Sequence, residues 1–164
     1  MPGFELIGKE EQDEINDVFD RGGVLFRHGF DAIRNNCYKV SEFESSFAKI
    51  HNSKYALAVT SGTAALRVAL ASLEIGHGDE VITQSFTFVA TVEAIIEAGA
   101  TPVCSEINET LNICPMDLLE KITPKTKAII VVHMLGVPAL LDEVMAICKE
   151  KNIELIEDTA WGCG

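Results

Sequence analysis

The stretch AVTSGTAALRVAL, residues 58–70, joins an apolar run to a helical pattern through the four small residues 60–63. A turn alone does not require two hydroxyls and a glycine at this junction. Gly62 lets a ligand approach the backbone, and the free N–H groups of Thr63 and Ala64 at a helix start attract an anion such as phosphate. Serine and threonine also cap helices generally, so the stretch alone favours phosphate binding and simple capping about equally.

Short apolar runs alternate with helical patterns on both sides of this stretch. The alternation predicts an α/β fold, with a mostly parallel sheet covered by helices. We expect an N-terminal helical segment at residues 1–54 and the first part of an α/β domain at 55–164. The predicted strands are 55–59, 80–83, 102–104, 128–132 and 153–156, and the predicted helices are 10–21, 40–51, 63–73, 87–97, 115–122 and 140–151.

Composition narrows the class of protein. The chain has 164 residues, 48% of them hydrophobic, and no apolar run approaches the ~20 residues of a membrane helix. A net charge of −12 argues against general binding to nucleic acid or to anionic membranes. Five scattered cysteines without a Cys-x-x-Cys pair indicate reduced thiols, with neither disulfides nor a metal site. We therefore expect a cytoplasmic protein.

Further candidate site residues follow the predicted strands, and ligands bind at the carboxyl ends of open parallel sheets. Asp158 comes directly after an apolar strand, where an ionised carboxylate needs a cationic or hydrogen-bonding partner such as a pyridinium N–H. Phe88 has an aromatic face for a flat heterocycle. Taken singly, Asp158 is better explained as a helix cap and Phe88 as a core residue.

The combination of a phosphate cradle, an aromatic face and a carboxylate predicts a pocket for pyridoxal phosphate. A dinucleotide-binding domain of the Rossmann type is disfavoured. No Gly-x-Gly-x-x-Gly follows a strand, and residues 60–63 lack the second and third glycines of that motif.

Several long motifs carry a family resemblance. They read EFESSFAKIHNSKYALAVTSGTAAL, GHGDEVITQSFTFVATVEAIIEAGATPV, ITPKTKAIIVVHMLG and IELIEDTAWGCG. From about Phe4 to the last residue, the chain resembles the DegT/DnrJ/EryC1/StrS sugar aminotransferases, a branch of the fold-type-I pyridoxal-phosphate enzymes. The resemblance implies the large α/β domain of that fold.

The resemblance also implies roles for individual residues. Gly62, Thr63 and Ala64 would hold the phosphate of pyridoxal 5'-phosphate, Phe88 would stack on its ring, and Asp158 would pair with its ring nitrogen. Trp161 is also placed among the cofactor-binding residues, although the family commonly has histidine or glutamine there. Tryptophan donates a hydrogen bond but accepts none, so Trp161 cannot accept a hydrogen bond that a histidine or glutamine at this position could accept.

The family's Schiff-base lysine lies beyond Asp158, on a later strand, and no lysine before Gly164 fits its motif. The expected protein is therefore the N-terminal part of an aminotransferase that moves an amino group from glutamate to a nucleotide-linked keto sugar. It would serve polysaccharide or antibiotic sugar biosynthesis and act as a homodimer. Two alternatives stay open: a pyridoxal-phosphate sugar dehydratase of the same family, and a truncated chain without catalysis.

Basic residues gather in DRGGVLFRHGFDAIRNN, residues 20–36. Its glycines and lack of period predict a loop, and for any one residue a solvated charged loop is the commoner explanation. We nevertheless name Arg27 and Arg34 as candidate substrate-binding residues. A protein of net charge −12 must concentrate positive charge locally to hold the diphosphate of a sugar nucleotide.

Overall fold

A computed structural model of the chain describes residues 4–162. The chain divides into two compact units, the first ending at Ala58 and the second beginning at Val59. The domain boundary predicted after residue 54 lies a few residues earlier. No helix among the described residues is long and apolar enough to cross a membrane.

The first unit is helical. After a short 3-10 turn at Phe4–Leu6 come helices α1, Lys9–Asp20, and α2, Lys39–Ile50. Both lie within one residue of the bounds that the apolar period predicts. The N–H of Gly8, before α1, donates to Glu11 Oε2 at 2.7 Å, which satisfies a backbone group that the helix leaves unpaired.

The second unit is a parallel α/β sheet with the strand order β2-β1-β3-β4. All three strand pairs are parallel, as the alternating pattern predicts. Its elements in chain order are α3 (Gly62–Ser72), β1 (Glu80–Gln84), α4 (Val89–Glu97), β2 (Thr101–Ser105), α5 (Pro115–Lys121), β3 (Thr126–Val132), α6 (Leu141–Lys151) and β4 (Glu154–Asp158).

The prediction of a strand at 55–59 is wrong. A strand needs a neighbouring backbone to pair with, and no described backbone group bonds to this segment. Side chains take that place at Ala58, whose N–H donates to Glu44 Oε1 at 2.7 Å. The carbonyl of Ala58 accepts from Arg27 Nη1 at 3.3 Å.

Two apolar layers cover the sheet. Successive residues of β3 alternate between them: Ala128 and Ile130 pack with Leu70 on one side, and Ile129 and Val131 pack on the other. Helices α3 and α4 contribute to the first layer, and α5 and α6 to the second. A strand covered on both faces must be apolar at every position, which explains the continuous apolar run of β3.

Candidate functional site

The carboxyl ends of three strands lie at one edge of the sheet. Val132, the last residue of β3, pairs in register with Asp158, the last residue of β4. At the end of β1, Gln84 Oε1 accepts a hydrogen bond from the N–H of Val132 at 3.2 Å. The loops that follow β1, β3 and β4 therefore leave the sheet side by side.

Helix α3 begins at the same edge. Its Leu66 and Leu70 pack with Val81 of β1, and the short connection after α3 reverses the chain into β1. Eleven helical residues and five strand residues both span about 16 Å. The N-terminus of α3 therefore lies level with the carboxyl end of β1.

The start of α3 leaves a different pair of N–H groups free from the pair that the sequence predicts. Ser61 is the N-cap, and its Oγ accepts from the N–H of Ala64 at 3.1 Å. The N–H groups of Gly62 and Thr63 make no hydrogen bond to the described residues. A ligand at this helix start thus finds two free N–H groups, and the N–H of Ala64 must exchange its partner to become a third.

Nothing in the fold of the described residues explains why position 62 is a glycine. Its φ lies outside the left-handed region, and a Cβ built on it would meet no atom within 4 Å. Gly62 is the first residue of α3, directly after the N-cap Ser61. Neither backbone strain nor packing among the described residues requires glycine here.

Asp158 combines a turn contact with a free oxygen. Its Oδ1 accepts from the N–H of Ala160 at 3.1 Å in the turn after β4, and no helix begins in the described residues that follow. Its Oδ2 makes no hydrogen bond to the described residues. The half-buried carboxylate can therefore receive one further donor at the edge of the sheet.

The two aromatic candidates are exposed at the same edge. Phe88 is the N-cap of α4 and is 70% exposed, so it is not the core residue that a position near a helix start suggests. Trp161, in the turn after β4, is 50% exposed. Both rings are open to a ligand. Arg27 and Arg34, by contrast, belong to the first unit.

Buried polar side chains fix the loops at this edge. Asn112 is fully buried; its Oδ1 accepts from the N–H of Met134 at 2.9 Å and its Nδ2 donates to the Val137 carbonyl at 3.0 Å. Gln84, also fully buried, donates from Nε2 to the Leu111 carbonyl at 3.1 Å. The only sequence signal for Asn112 is a polar residue between two aliphatic ones.

His133 joins the loop after β3 to β4. Its Nδ1 accepts from the N–H of Ala139 at 3.1 Å, which leaves the proton of the neutral ring on Nε2. Nε2 lies 3.1 Å from Glu157 Oε2 and donates to it. This histidine is buried and satisfied, so it orders the site's edge without facing a ligand.

The turns after β3 and β4 pack backbone to backbone. Gly136 has a φ of +82°, and a Cβ on it would lie 3.0 Å from the Trp161 carbonyl oxygen. Gly162 approaches the same turn, because a Cβ there would lie 3.6 Å from the Gly136 Cα. Unlike Gly62, Gly136 is required by the fold.

No group of three or more potential metal ligands lies among residues 4–162. Four cysteines in this range are free thiols, namely Cys37, Cys104, Cys114 and Cys148. Cys163 lies outside the described residues.

Comparison with known proteins gives a consistent result. Residues 8–164 match the DegT/DnrJ/EryC1/StrS aminotransferase family. The spore coat polysaccharide biosynthesis protein SpsC of Bacillus subtilis (strain 168) is 41% identical over 156 residues, which cover 94% of this chain and 38% of SpsC.

Solved structures agree with the sequence match. An aminotransferase from Psychrobacter cryohalolentis superposes with a TM-score of 0.86 at 38% identity, covering 99% of this chain and 39% of that one. NtdA from Bacillus subtilis, with bound cofactor PMP, gives a TM-score of 0.79 at 31% identity, covering 93% of this chain and 34% of that one. The chain thus spans well under half the length of these relatives.

Because the two turns are in contact, an alanine should destabilise the protein more at Gly136 than at Gly78. Gly136→Ala should lower the free energy of unfolding by about 2–3 kcal/mol, because a left-handed alanine is strained and its Cβ is crowded by the Trp161 carbonyl. Gly78→Ala is the matched control: φ is +91°, but no atom lies within 4 Å, so we expect about 1 kcal/mol. Urea denaturation measures both, and equal losses would contradict the close approach.

Proposed function

Because the chain belongs to the DegT/DnrJ/EryC1/StrS aminotransferase family, we propose that it is the N-terminal part of a pyridoxal-phosphate-dependent aminotransferase acting on a nucleotide-linked keto sugar. Family membership supports a sugar-modifying enzyme that uses this cofactor. The identity of the substrate is our inference. The similarity to SpsC, a polysaccharide biosynthesis protein, favours a sugar.

The observation that supports the proposal most is that neither strain nor packing requires glycine at position 62. The backbone is open to solvent at Gly62, and two N–H groups are unpaired at the start of α3, which supports a phosphate site there. Phosphate suits this position, because the helix dipole and the unpaired N–H groups both favour an anion. We assign the cofactor phosphate to Gly62 and Thr63, and to Ala64 once its N–H leaves Ser61.

The remaining edge residues fit the ring of the cofactor. When bound, pyridoxal phosphate supplies an electron-accepting ring for amino-group transfer. The free Oδ2 of Asp158 would accept a hydrogen bond from the protonated ring nitrogen and stabilise that charge. Phe88 would cover one face of the ring, and the exposed Trp161 would border it.

We also propose that glutamate is the amino donor and that the enzyme is a homodimer. A cytoplasmic location is supported by the free thiols of the four described cysteines. Arg27 and Arg34 are the proposed contacts to the diphosphate of the sugar nucleotide.

A branched side chain at position 62 tests the cradle. Gly62→Val should weaken pyridoxal phosphate at least ~10-fold and pyridoxal hardly at all, because only the phosphate meets the new Cβ. The backbone at Gly62 is unstrained and uncrowded, so folding should tolerate the change. Fluorescence titration with both ligands gives the affinities.

Ala71→Val is the matched control. It introduces the same side chain at an exposed position near the other end of α3, and both affinities should stay unchanged. Equal losses for the two ligands in Gly62→Val would remove α3 from the phosphate site.

Replacing the carboxylate tests the ring contact. In the complete protein, Asp158→Asn should lower kcat/KM about 100-fold or more, because the charge that stabilises the protonated ring is lost. Cofactor affinity should change little, since the phosphate contacts remain. Glu154→Gln removes the same charge from an exposed position of β4 and should leave turnover intact. Near-normal turnover in Asp158→Asn would exclude the assigned role.

A further inference from the structure

The first unit contains a cavity with an unusual charge. Its volume is about 260 Å³, and its lining includes the cationic side chains of Arg21, Arg27, Arg34 and Lys39 but no carboxylate. In a chain of net charge −12, such a concentration of positive charge requires an explanation.

Carboxylates outside the cavity already neutralise three of the four cations. Arg21 Nε lies 2.8 Å from Asp17 Oδ1, and Lys39 Nζ lies 2.8 Å from Asp17 Oδ2. These two cations lower the pKa of the Asp17 carboxyl through hydrogen bonds and charge. Arg27 forms an ion pair with Glu44. An anion in the cavity would have to compete with these carboxylates for all three.

Arg34 differs from the other three cations. It is 6% exposed, and no carboxylate among the described residues pairs with it. Its Nη2 donates to the carbonyls of Phe26 at 2.6 Å and Val24 at 3.4 Å, and its guanidinium lies 4.6 Å from the ring centroid of Tyr38. Its Nε is buried and has no hydrogen-bond partner.

A buried guanidinium without a counter-ion is costly. Removing a charge from water costs several kcal/mol unless an opposite charge and hydrogen bonds replace the water. Two carbonyls and an aromatic face hold the group in place but leave its charge uncompensated. A bound water would leave this charge in place, whereas an anion in the cavity would neutralise it.

The size of the cavity limits what enters it. Sites that enclose a drug-sized ligand have volumes of roughly 300–1,000 Å³. A cavity of about 260 Å³ suits one anionic group, with the rest of the molecule outside. Guanidinium groups bind phosphate through charge-assisted hydrogen bonds, so Arg34 is the side chain of this cavity best suited to an anion.

We infer that this cavity binds a phosphate or diphosphate group, with Arg34 as its anchor and Arg27 as a minor contact. The inference deepens the proposed function in one respect: a sugar nucleotide is the source of the diphosphate only if that function holds. The site itself depends only on the contacts of Arg34. The cofactor phosphate is assigned separately, to the backbone N–H groups at the start of α3.

The Nε–H signal of Arg34 gives a direct test. The full 164-residue chain, labelled with ¹⁵N-arginine, is titrated with pyrophosphate at about 0.15 M salt, where long-range charge effects are screened. The signal, identified by its loss in Arg34→Lys, should shift and saturate. Because it reports on one side chain, pyrophosphate bound at α3 does not interfere. An unmoved signal would overturn the proposal.

Variants then separate the two arginines. By calorimetry, Arg34→Gln should weaken the pyrophosphate binding that moves this signal at least ~10-fold. Arg27→Gln, at the same cavity but paired with Glu44, should weaken it less than about threefold. Equal effects of the two variants would contradict Arg34 as the anchor.

The choice of ligand identifies the source of the anion. UDP should shift the Arg34 signal as pyrophosphate does, and uridine should not. If glutamate shifts the signal at lower concentration than pyrophosphate, the site is for a carboxylate and the phosphate assignment is wrong. Pyridoxal-phosphate affinity is measured in parallel: its failure, with the Arg34 response intact, would refute the cofactor proposal and leave this site standing.

Discussion

The pairing of β3 on both sides is the interaction on which the α/β unit depends. β3 joins β1 to β4, and its residues from Ala128 to Val132 are all buried. A shift of one residue in either register would exchange the residues that face the two apolar layers, so the register is fixed by burial. The common register brings the ends of β1, β3 and β4 to one edge. Every candidate cofactor residue lies on a loop or helix that begins or ends there.

The side chains at this edge fall into two groups that differ in exposure. Gln84, Asn112 and His133 are buried, and each bonds to the backbone of a neighbouring loop. Their burial is favourable because their hydrogen bonds are made within the protein. Asp158 keeps an oxygen free, and Phe88 and Trp161 are open to solvent. The first group holds the loops in place, and the second is left available for a ligand.

Local patterns predicted most of the fold, because helices and buried strands impose their period on the sequence. The strand at 55–59 failed because pairing depends on a distant backbone, which no local pattern encodes. Asn112 was missed for a similar reason: its partners, Met134 and Val137, are far away in sequence. Arg34 lies in a charged stretch that usually means a solvated loop, and only the fold shows it to be buried. The ligand roles assigned to the residues at the edge stay predictions.

Gly62 and Gly136 show why structure is needed to interpret a glycine. Each lies in a connection between two predicted elements, and the sequence does not say why glycine is present. The φ of Gly136 is +82° and the Trp161 carbonyl crowds it, so folding alone explains that glycine. Gly62 has neither constraint and is the first residue of α3. A glycine that neither backbone strain nor packing requires is expected where a ligand must approach the backbone. Arg34 is likewise unexplained by the fold, because its buried charge has no counter-ion among the described residues, so the two candidate anion sites rest on independent observations.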